Sequence, residues 1–413
     1  MTLNTIVTVG AGQTAAVAAR TLRRRGFDGR ILLVGDELHA PYQRPPLSKE
    51  FLAGQEDRES LMLLPDAWRE KQDVELLTGT AVTRIDSQAG AVELSDGRRI
   101  SADAVLFATG GRPRTMPVTG SAPERVHYLR TIDDAERLAD GLRPGARLVL
   151  IGGGFVGLEI AATARTLGAE VTVLEADPVP LARILGPEMG EVCTRLQRDN
   201  GVTVRAGVRV DTVTTRPEDV LITLEGGEVV PADVVVVGIG IVPNVEVAQA
   251  SGLAVDGGIL VDAQGRTSVP HVYAAGDVAA RFSDAAGRHV RVEHFDNASK
   301  QGAATANLML GRVGVVDPAH WFWSDQFGKN LQFAGTARYT DLVFRGSVDN
   351  GEFTAFYMDG GVVRGAFALD RGEEISAARE LIGRSIEPSR LADEDVDLFD
   401  LMDEDDEELV TVS

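Results

Sequence analysis

The chain has 413 residues, 44% of them hydrophobic, which is enough for two or three domains with cores of their own. Its net charge of −21 excludes nucleic acid as a partner, since phosphate binding needs a basic surface. One cysteine, Cys193, excludes both a disulfide framework and a dithiol redox centre within the chain.

The six histidines show no metal-ligand spacing, so no metal is expected. No apolar run approaches the ~20 residues that cross a bilayer, and the N-terminus enters an apolar strand without a signal-peptide pattern. A cytoplasmic chain without a membrane partner is therefore expected.

The first strand, "TIVTVG", leads through Gly10-Ala-Gly12-Gln-Thr-Ala15 into a helix rich in Ala, Leu and Arg. Gly10 allows the tight turn and Gly12 lets backbone approach a pyrophosphate. Ala15 keeps helix and strand close, while the helix N-terminus offers N–H donors. The helix closes on Arg23-Arg24-Arg25, a basic run suited to a helix C-terminus. A second strand, "RILLVG", ends at Asp36, an acid able to hold the hydroxyls of an adenosine ribose. Next comes "HAPYQRPPLSKEFLAG" (39–54), with two adjacent prolines and a Ser-Lys pair but no cysteine. "DAVLFATGGRP" (103–113) reads as a further strand running into Ala108, Thr109 and Gly110.

The unit then recurs. "ARLVLIGGGFVGLEIAATARTLGAEVTVLEA" gives a strand, Gly152-Gly-Gly154-Phe-Val-Gly157, a helix, and a strand ending at Glu175. Two such units in one chain point to two dinucleotides. Glu175 favours a 2′-hydroxyl over a 2′-phosphate, and no Arg or Lys follows directly, so NADH is expected rather than NADPH. Arg183 stands a little further on, towards the adenine side.

"ADVVVVGIGIVPN" (232–244) echoes the earlier "LFATGG" strand, and "TSVPHVYAAGDVA" (267–279) is a strand ending at Gly276-Asp277. The fold class is therefore α/β, with two Rossmann-like dinucleotide-binding domains, the second inserted into the first. The discontinuous first domain is drawn as 1–111 and 241–317, and the inserted one as 112–240. Residues 318–413 form a C-terminal α+β domain whose alternating runs "DLVFRG", "EFTAFYMDGG" and "VVRGAFAL" suggest an antiparallel sheet. Residues 393–408 carry eleven acids and no Lys or Arg, and are expected to form a solvated, poorly ordered tail (393–413).

These segments resemble the NADH-dependent ferredoxin reductases of bacterial oxygenase systems, within the glutathione-reductase-like flavoproteins. The resemblance is carried by "GAGQTA", "RPPLSKEFL", "LFATGGRPR", "LRTIDDAERL", "IGGGFVGLEIAA", "YAAGDVA", "EHFDNASKQG" and "WFWSDQFG". "RPPLSK" and "FWSDQ" are the most specific of these. It runs from the first strand to about residue 383, leaving the tail outside.

The resemblance implies non-covalent FAD in the first domain and NADH in the inserted one. Asp36 would hold the ribose, Arg44 and Lys49 would lie along the flavin, and Val82 would contact adenine through its backbone. Thr109 and Gly110 would close over the pyrophosphate, with Arg130 nearby, and Asp277 would accept from the ribityl chain. A helix starting near Asn297 would point its N-terminus at the flavin pyrimidine. Ala108, Gly276, His294 and Phe295 belong to the same set. Gly152, Gly154, Phe155, Val156, Gly157, Gly238, Ile239, Gly240 and Glu175 belong to the inserted domain. Lys49 is expected to pair with Glu159, the Glu of "GLE", which would steer the nicotinamide carboxamide.

The implied exit is a 2Fe-2S ferredoxin that feeds a haem-thiolate monooxygenase or a Rieske-type oxygenase. Phe295 and Trp323 are candidates for the aromatic edge between flavin and acceptor, although many relatives carry Trp at the Phe295 position. A monomer or weak dimer suits such a shuttle. Two alternatives share the fold: a rubredoxin reductase, and an NADH-sensing flavoprotein similar to apoptosis-inducing factor.

Overall fold

The computed structural model describes residues 3–284, 286–314 and 320–402. The chain forms two compact units, each discontinuous in sequence: Met1–Pro46, Glu56–Pro113 and Ile241–Pro318 in one, Leu47–Gln55, Arg114–Gly240 and Ala319–Ser413 in the other.

The first unit is built on a five-stranded sheet in the order Val272–Ala274, Ala104–Phe107, Thr5–Val9, Arg30–Val34, Val74–Leu77. Every pairing is parallel, and the strands read as nearly unbroken apolar runs because both faces are covered. Ile6, Ile31, Leu33 and Leu106 pack with Ala15, Ala16, Ala18 and Leu22 of helix Gln13–Arg24. The alternate residues Val7, Val9, Leu32, Val34, Val105 and Phe107 pack on the other face, against the antiparallel sheet Val82–Asp86, Ala91–Leu94, Arg99–Ser101. Helix Phe295–Met309 lies so close to the first helix that a Cβ on Gly302 would sit 2.6 Å from the Thr14 carbonyl oxygen.

The second unit repeats this plan. Its parallel sheet runs Val126–His127, Val234–Val237, Arg147–Ile151, Glu170–Glu175, Thr203–Ala206. Gly10 N–H donates to Val34 O at 2.8 Å in one unit, and Gly152 N–H donates to Leu174 O at 2.8 Å in the other, so the two turns superpose in register.

The C-terminal part of this unit is a five-stranded antiparallel sheet in the order Trp321–Gln326, Lys329–Gly335, Val362–Leu369, Glu352–Asp359, Asp341–Ser347. One of its faces joins the core around Leu158, Leu185 and Cys193, and the other is covered by helix Gly372–Leu381.

The acidic segment departs from expectation over its first part. Leu398 and Leu401 are buried in the same core as Ile375 and Leu381. Arg345, itself buried, donates to the carbonyl oxygens of Asp393, Glu394 (3.3 Å) and Val396 (2.9 Å). The spaced leucines, rather than the acid count, decide the conformation of 393–402. The remainder of the tail lies outside the described residues.

Candidate functional site

In the first unit Gly10 has φ +104°, and a Cβ there would stand 2.3 Å from the Ala108 carbonyl oxygen. The turn is thus pressed against the Ala108-Thr109-Gly110 segment, and only glycine fits. Gly12 is the N-cap of helix Gln13–Arg24; nothing lies within 4 Å of its Cβ position, and no side chain caps the helix. Its first N–H groups are left for an anion. Ala15 is fully buried between helix and sheet.

Thr109 and Gly110 are fastened to Asn244. The Thr109 hydroxyl donates to Asn244 O at 2.7 Å, Asn244 Nδ2 donates to Thr109 O at 2.9 Å, and Asn244 N–H donates to Gly110 O at 3.0 Å. This ties the two chain crossings together. Gly276 has φ +79°, its N–H donates to Gln301 Oε1 at 2.9 Å, and a Cβ would fall 2.3 Å from Thr14 Oγ1. Asp277 follows directly and accepts from Arg291 through its carbonyl oxygen at 3.3 Å. The helix expected near Asn297 begins at Phe295, with His294 as an N-cap that makes no side-chain cap bond.

The two acids differ in position. Strand Arg30–Val34 stops short of Asp36, and by the shared register Glu175 corresponds to Gly35. Asp36 is exposed. Its neighbour Glu37, which sequence reasoning missed, accepts from Arg44 Nη2 at 2.6 Å and from the Tyr42 hydroxyl at 2.5 Å. The Arg44 guanidinium also lies over the Tyr42 ring, 5.1 Å from its centroid. Val82 is buried at the start of its strand, beside a bulge. Arg23, the first residue of the basic run, donates to the carbonyls of Phe27 and Gly29 beyond its helix and to those of Gln72 and Asp73.

In the second unit Gly152 has φ +108°, and a Cβ there would lie 2.4 Å from the Gly238 carbonyl oxygen. Gly154 is an N-cap without a side-chain bond and with nothing within 4 Å of its Cβ position, and Gly157 packs against Gly152 O. Glu175 Oε2 accepts from Gly153 N–H at 2.6 Å and Oε1 from Asp177 N–H at 2.8 Å, which fixes the carboxylate beside the turn. Arg183 is ion-paired with Asp177 at 2.6 Å. Val156 and Ile239 are exposed apolar side chains after neighbouring parallel strands, and Gly240 accepts from Arg114 N–H. Arg130 also belongs to this unit, on the turn leading into helix Ile132–Gly141, its N–H held by Asp134 at 3.0 Å.

A buried cluster in this unit centres on Glu159, in helix Phe155–Thr166. Lys49 Nζ lies 3.5 Å from Glu159 Oε2, with the two side chains 10% and 7% exposed. The Ser48 hydroxyl donates to Oε2 at 2.5 Å and the Ser324 hydroxyl to Oε1 at 2.7 Å. Burial pushes the Glu159 carboxyl above its ordinary range, while Lys49 and the two serines pull it back. Both serines were missed by sequence reasoning, although each sits inside a signature, "RPPLSK" or "FWSDQ". Residues 45–48 form a 3-10 turn that places Ser48 and Lys49 in succession, and Thr163 holds it by donating to Ser48 O at 2.8 Å. Phe155 packs edge-on against Phe322 at 4.7 Å. Trp323 points the other way along its strand and stacks on Trp321 at 5.2 Å.

Among the described residues no metal-ligand cluster occurs, and no helix is long and apolar enough to cross a membrane. Both glycine cradles fit a dinucleotide: a turn that a Cβ would fill, a helix start without a side-chain cap, and an acid at or just past the second strand.

The pyridine nucleotide-disulphide oxidoreductase family matches residues 4–302, and the reductase C-terminal family matches residues 321–402. The second match passes the limit near residue 383 at which the resemblance was drawn, in line with the packed segment 393–402. The chain is 41% identical to rhodocoxin reductase of Rhodococcus erythropolis, over 95% of this chain and 93% of that protein. It is 39% identical to putidaredoxin reductase of Pseudomonas putida, over 96% of each. Among solved structures it is similar to the covalent putidaredoxin reductase–putidaredoxin complex, with a TM-score of 0.92, 38% identity, and 97% and 98% of the two chains covered. The ferredoxin reductase for the CYP199A2 system from Rhodopseudomonas palustris gives a TM-score of 0.92 at 36% identity, over 97% of this chain and all of that one.

Proposed function

This chain belongs to the pyridine nucleotide-disulphide oxidoreductase family, and we propose that it passes electrons from NADH to a 2Fe-2S ferredoxin serving an oxygenase. It is an oxidoreductase that uses FAD and NADH. One observation carries the choice of acceptor: two dinucleotide cradles occur in a chain whose single cysteine, Cys193, is buried. There is no second thiol to form the redox pair for which the family is named, so electrons leave from the cofactor to an outside centre. The relatives named above are reductases of small electron carriers, which supports the same reading.

FAD, when bound, would supply an acceptor for the hydride of NADH and a donor of single electrons. In the first unit the Gly10–Gly12 turn and its uncapped helix receive the pyrophosphate, and Asp36 accepts from the ribose hydroxyls. Arg44, held by Glu37 and Tyr42, would lie along the cofactor, and Asp277 and the start of helix Phe295–Met309 would hold its flavin end.

In the second unit Glu175 accepts from the 2′-hydroxyl of NADH and repels a 2′-phosphate. Arg183, which stands further on, is paired with Asp177. Glu159, held by Ser48, Ser324 and Lys49, orients the nicotinamide carboxamide. The enzyme works in the cytoplasm as a monomer or weak dimer.

The test is anaerobic NADH-driven reduction of cytochrome c with and without a panel of 2Fe-2S ferredoxins and a rubredoxin. Strong stimulation by a ferredoxin is expected. Stimulation by rubredoxin alone would make it a rubredoxin reductase. No stimulation by either, with normal bleaching of the flavin by NADH, would refute the carrier role.

A further inference from the structure

Strand Trp321–Gln326 buries Phe322, Ser324 and Gln326 on one face, as the two-residue period of a strand requires. Phe322 packs there with Phe155 and Phe333. Ser324 and Gln326 are polar, yet are 0% and 1% exposed, and Gln197 of helix Ala182–Asp199 is equally buried. Three buried polar side chains carry a desolvation cost that packing alone does not explain.

Their hydrogen bonds form one directed chain. Gln197 Nε2 donates to Leu158 O at 3.1 Å and to Gln326 Oε1 at 2.8 Å. Gln326 Nε2 donates to Ser324 Oγ at 3.0 Å, and the Ser324 hydroxyl donates to Glu159 Oε1 at 2.7 Å.

The direction is forced from its start. A backbone carbonyl only accepts, so the Gln197 amide must turn its NH2 towards Leu158 and thereby towards Gln326. Gln326 must then present its oxygen to Gln197 and its NH2 to Ser324. The Ser324 oxygen is taken by that donor, so its proton is committed to Glu159. Flipping either amide would set oxygen against oxygen or NH2 against NH2. Gln197 Oε1 is buried without a hydrogen-bond partner, which is consistent with both amide hydrogens being spent on the chain.

We propose that Gln197, Gln326 and Ser324 are positioning residues that hold Glu159 Oε1 as a hydrogen-bond acceptor. Oε2 is left to Ser48 and Lys49, and through them to the nicotinamide. The chain begins on the carbonyl of Leu158 and ends on the side chain of Glu159, so it also fixes that carboxylate relative to its own helix. This rests on the reading of Glu159 as the group that orients NADH. Lys49, from segment Leu47–Gln55, is the charged side chain set against Glu159 among the described residues.

The test is infrared pH titration of the oxidised, FAD-loaded enzyme, following the carboxylic acid C=O band above amide I that Glu159→Gln removes. Calorimetric NAD+ affinity is measured on the same samples. Ser324→Ala deletes one donor to the carboxylate and should raise the midpoint by about one to two pH units. Gln326→Leu, which frees the Ser324 proton to turn away, should shift it in the same direction by less, and Ser324→Thr should restore it. A midpoint unmoved in Ser324→Ala, or moved there but not in Gln326→Leu, overturns the chain. If Ser324→Ala does not fold, Gln326→Leu decides alone. If the midpoints shift as stated while NAD+ affinity stays unchanged even in Glu159→Gln, the positioning chain stands and the nicotinamide reading fails.

Discussion

Lys49 Nζ lies 3.5 Å from Glu159 Oε2, and both side chains are largely shielded from solvent. Such a pair is fragile to half-removal, because the partner left behind is a buried, uncompensated charge. Lys49→Met should lower stability by on the order of 3 kcal/mol and slow flavin reduction by NADH roughly 10- to 100-fold. FAD should stay bound, since the Gly10–Gly12 turn and the uncapped helix start are left intact. Lys49→Met combined with Glu159→Gln should recover most of the stability and none of the rate. Melting curves and stopped-flow bleaching check both; a single variant that reduces its flavin at the wild-type rate rejects the pair's role.

Glu175 accepts N–H bonds from Gly153 and Asp177, so its carboxylate is fixed before any ribose arrives. Glu175→Arg removes an ionised acceptor and supplies a cation. The ratio of kcat/KM for NADH over NADPH should fall about 10- to 100-fold, the worth of a hydrogen bond to a charged group. Most of the change should appear in KM. An unchanged ratio would show that the ribose sits elsewhere.

Both glycine turns and their following helices were legible because the requirement is local: a positive φ at Gly10 and Gly152, and a small residue at the helix start. Legible too was the antiparallel C-terminal sheet, whose period-two runs are long. The Lys49–Glu159 pair could be anticipated only by resemblance, since 110 residues separate the partners and no periodicity links them. Ser48, Ser324 and Gln326 escaped because a serine or glutamine takes its meaning from a hydrogen-bond partner that the chain supplies far away. Glu37 was not singled out beside Asp36, because its part depends on Arg44 and Tyr42 turning towards it. The tail misled because eleven acids outweigh two leucines in composition, whereas burial depends on where the leucines fall.

Cys193 is fully buried in the core that also holds Tyr357, and burial pushes its thiol up to about 12. At neutral pH it is neither ionised nor accessible, so it should react with a thiol reagent only as fast as the core opens. Titration with an aromatic disulfide reagent should find no reactive thiol in the native enzyme and one per chain in denaturant. Cys193→Ser should retain flavin reduction and lose stability. Rapid labelling of the native protein would contradict the buried assignment.

Asp233 ties the starts of neighbouring strands, accepting from Arg147 Nη2 at 2.7 Å and Arg147 N–H at 2.9 Å. The Arg147 hydrogen bonds hold its carboxyl below the usual range against a smaller opposing effect of burial. The unfolded carboxyl titrates near ~3.9, so the tie contributes fully above that value and is lost as pH falls through the lower folded value. Because Arg147 is 40% exposed, screening limits the contribution to about 1 kcal/mol or less. Asp233→Asn should therefore be less stable than wild type at pH 6 in denaturant titrations, with the gap closing towards pH 3. A gap that stays constant with pH would mean that the carboxylate charge plays no part.

Leu401 is 1% exposed and packs with Ile375, Leu381 and Leu398, although it stands within the most acidic stretch of the sequence. Arg345 fastens the preceding turn through three backbone carbonyls and is itself paired with Glu374 at 2.9 Å. If the segment were a solvated tail, Leu401→Ala would change nothing. As part of a core it should cost about 2–4 kcal/mol, the range for truncating a buried leucine. Arg345→Met should act in the same direction, by removing one of the two arginines paired with Glu374 and leaving three carbonyls without their donor. Both variants should lower the melting temperature and leave the KM for NADH as it was, because neither residue touches Glu159 or Glu175. A wild-type melting temperature in Leu401→Ala would return residues 393–402 to the solvated tail that their charge suggests.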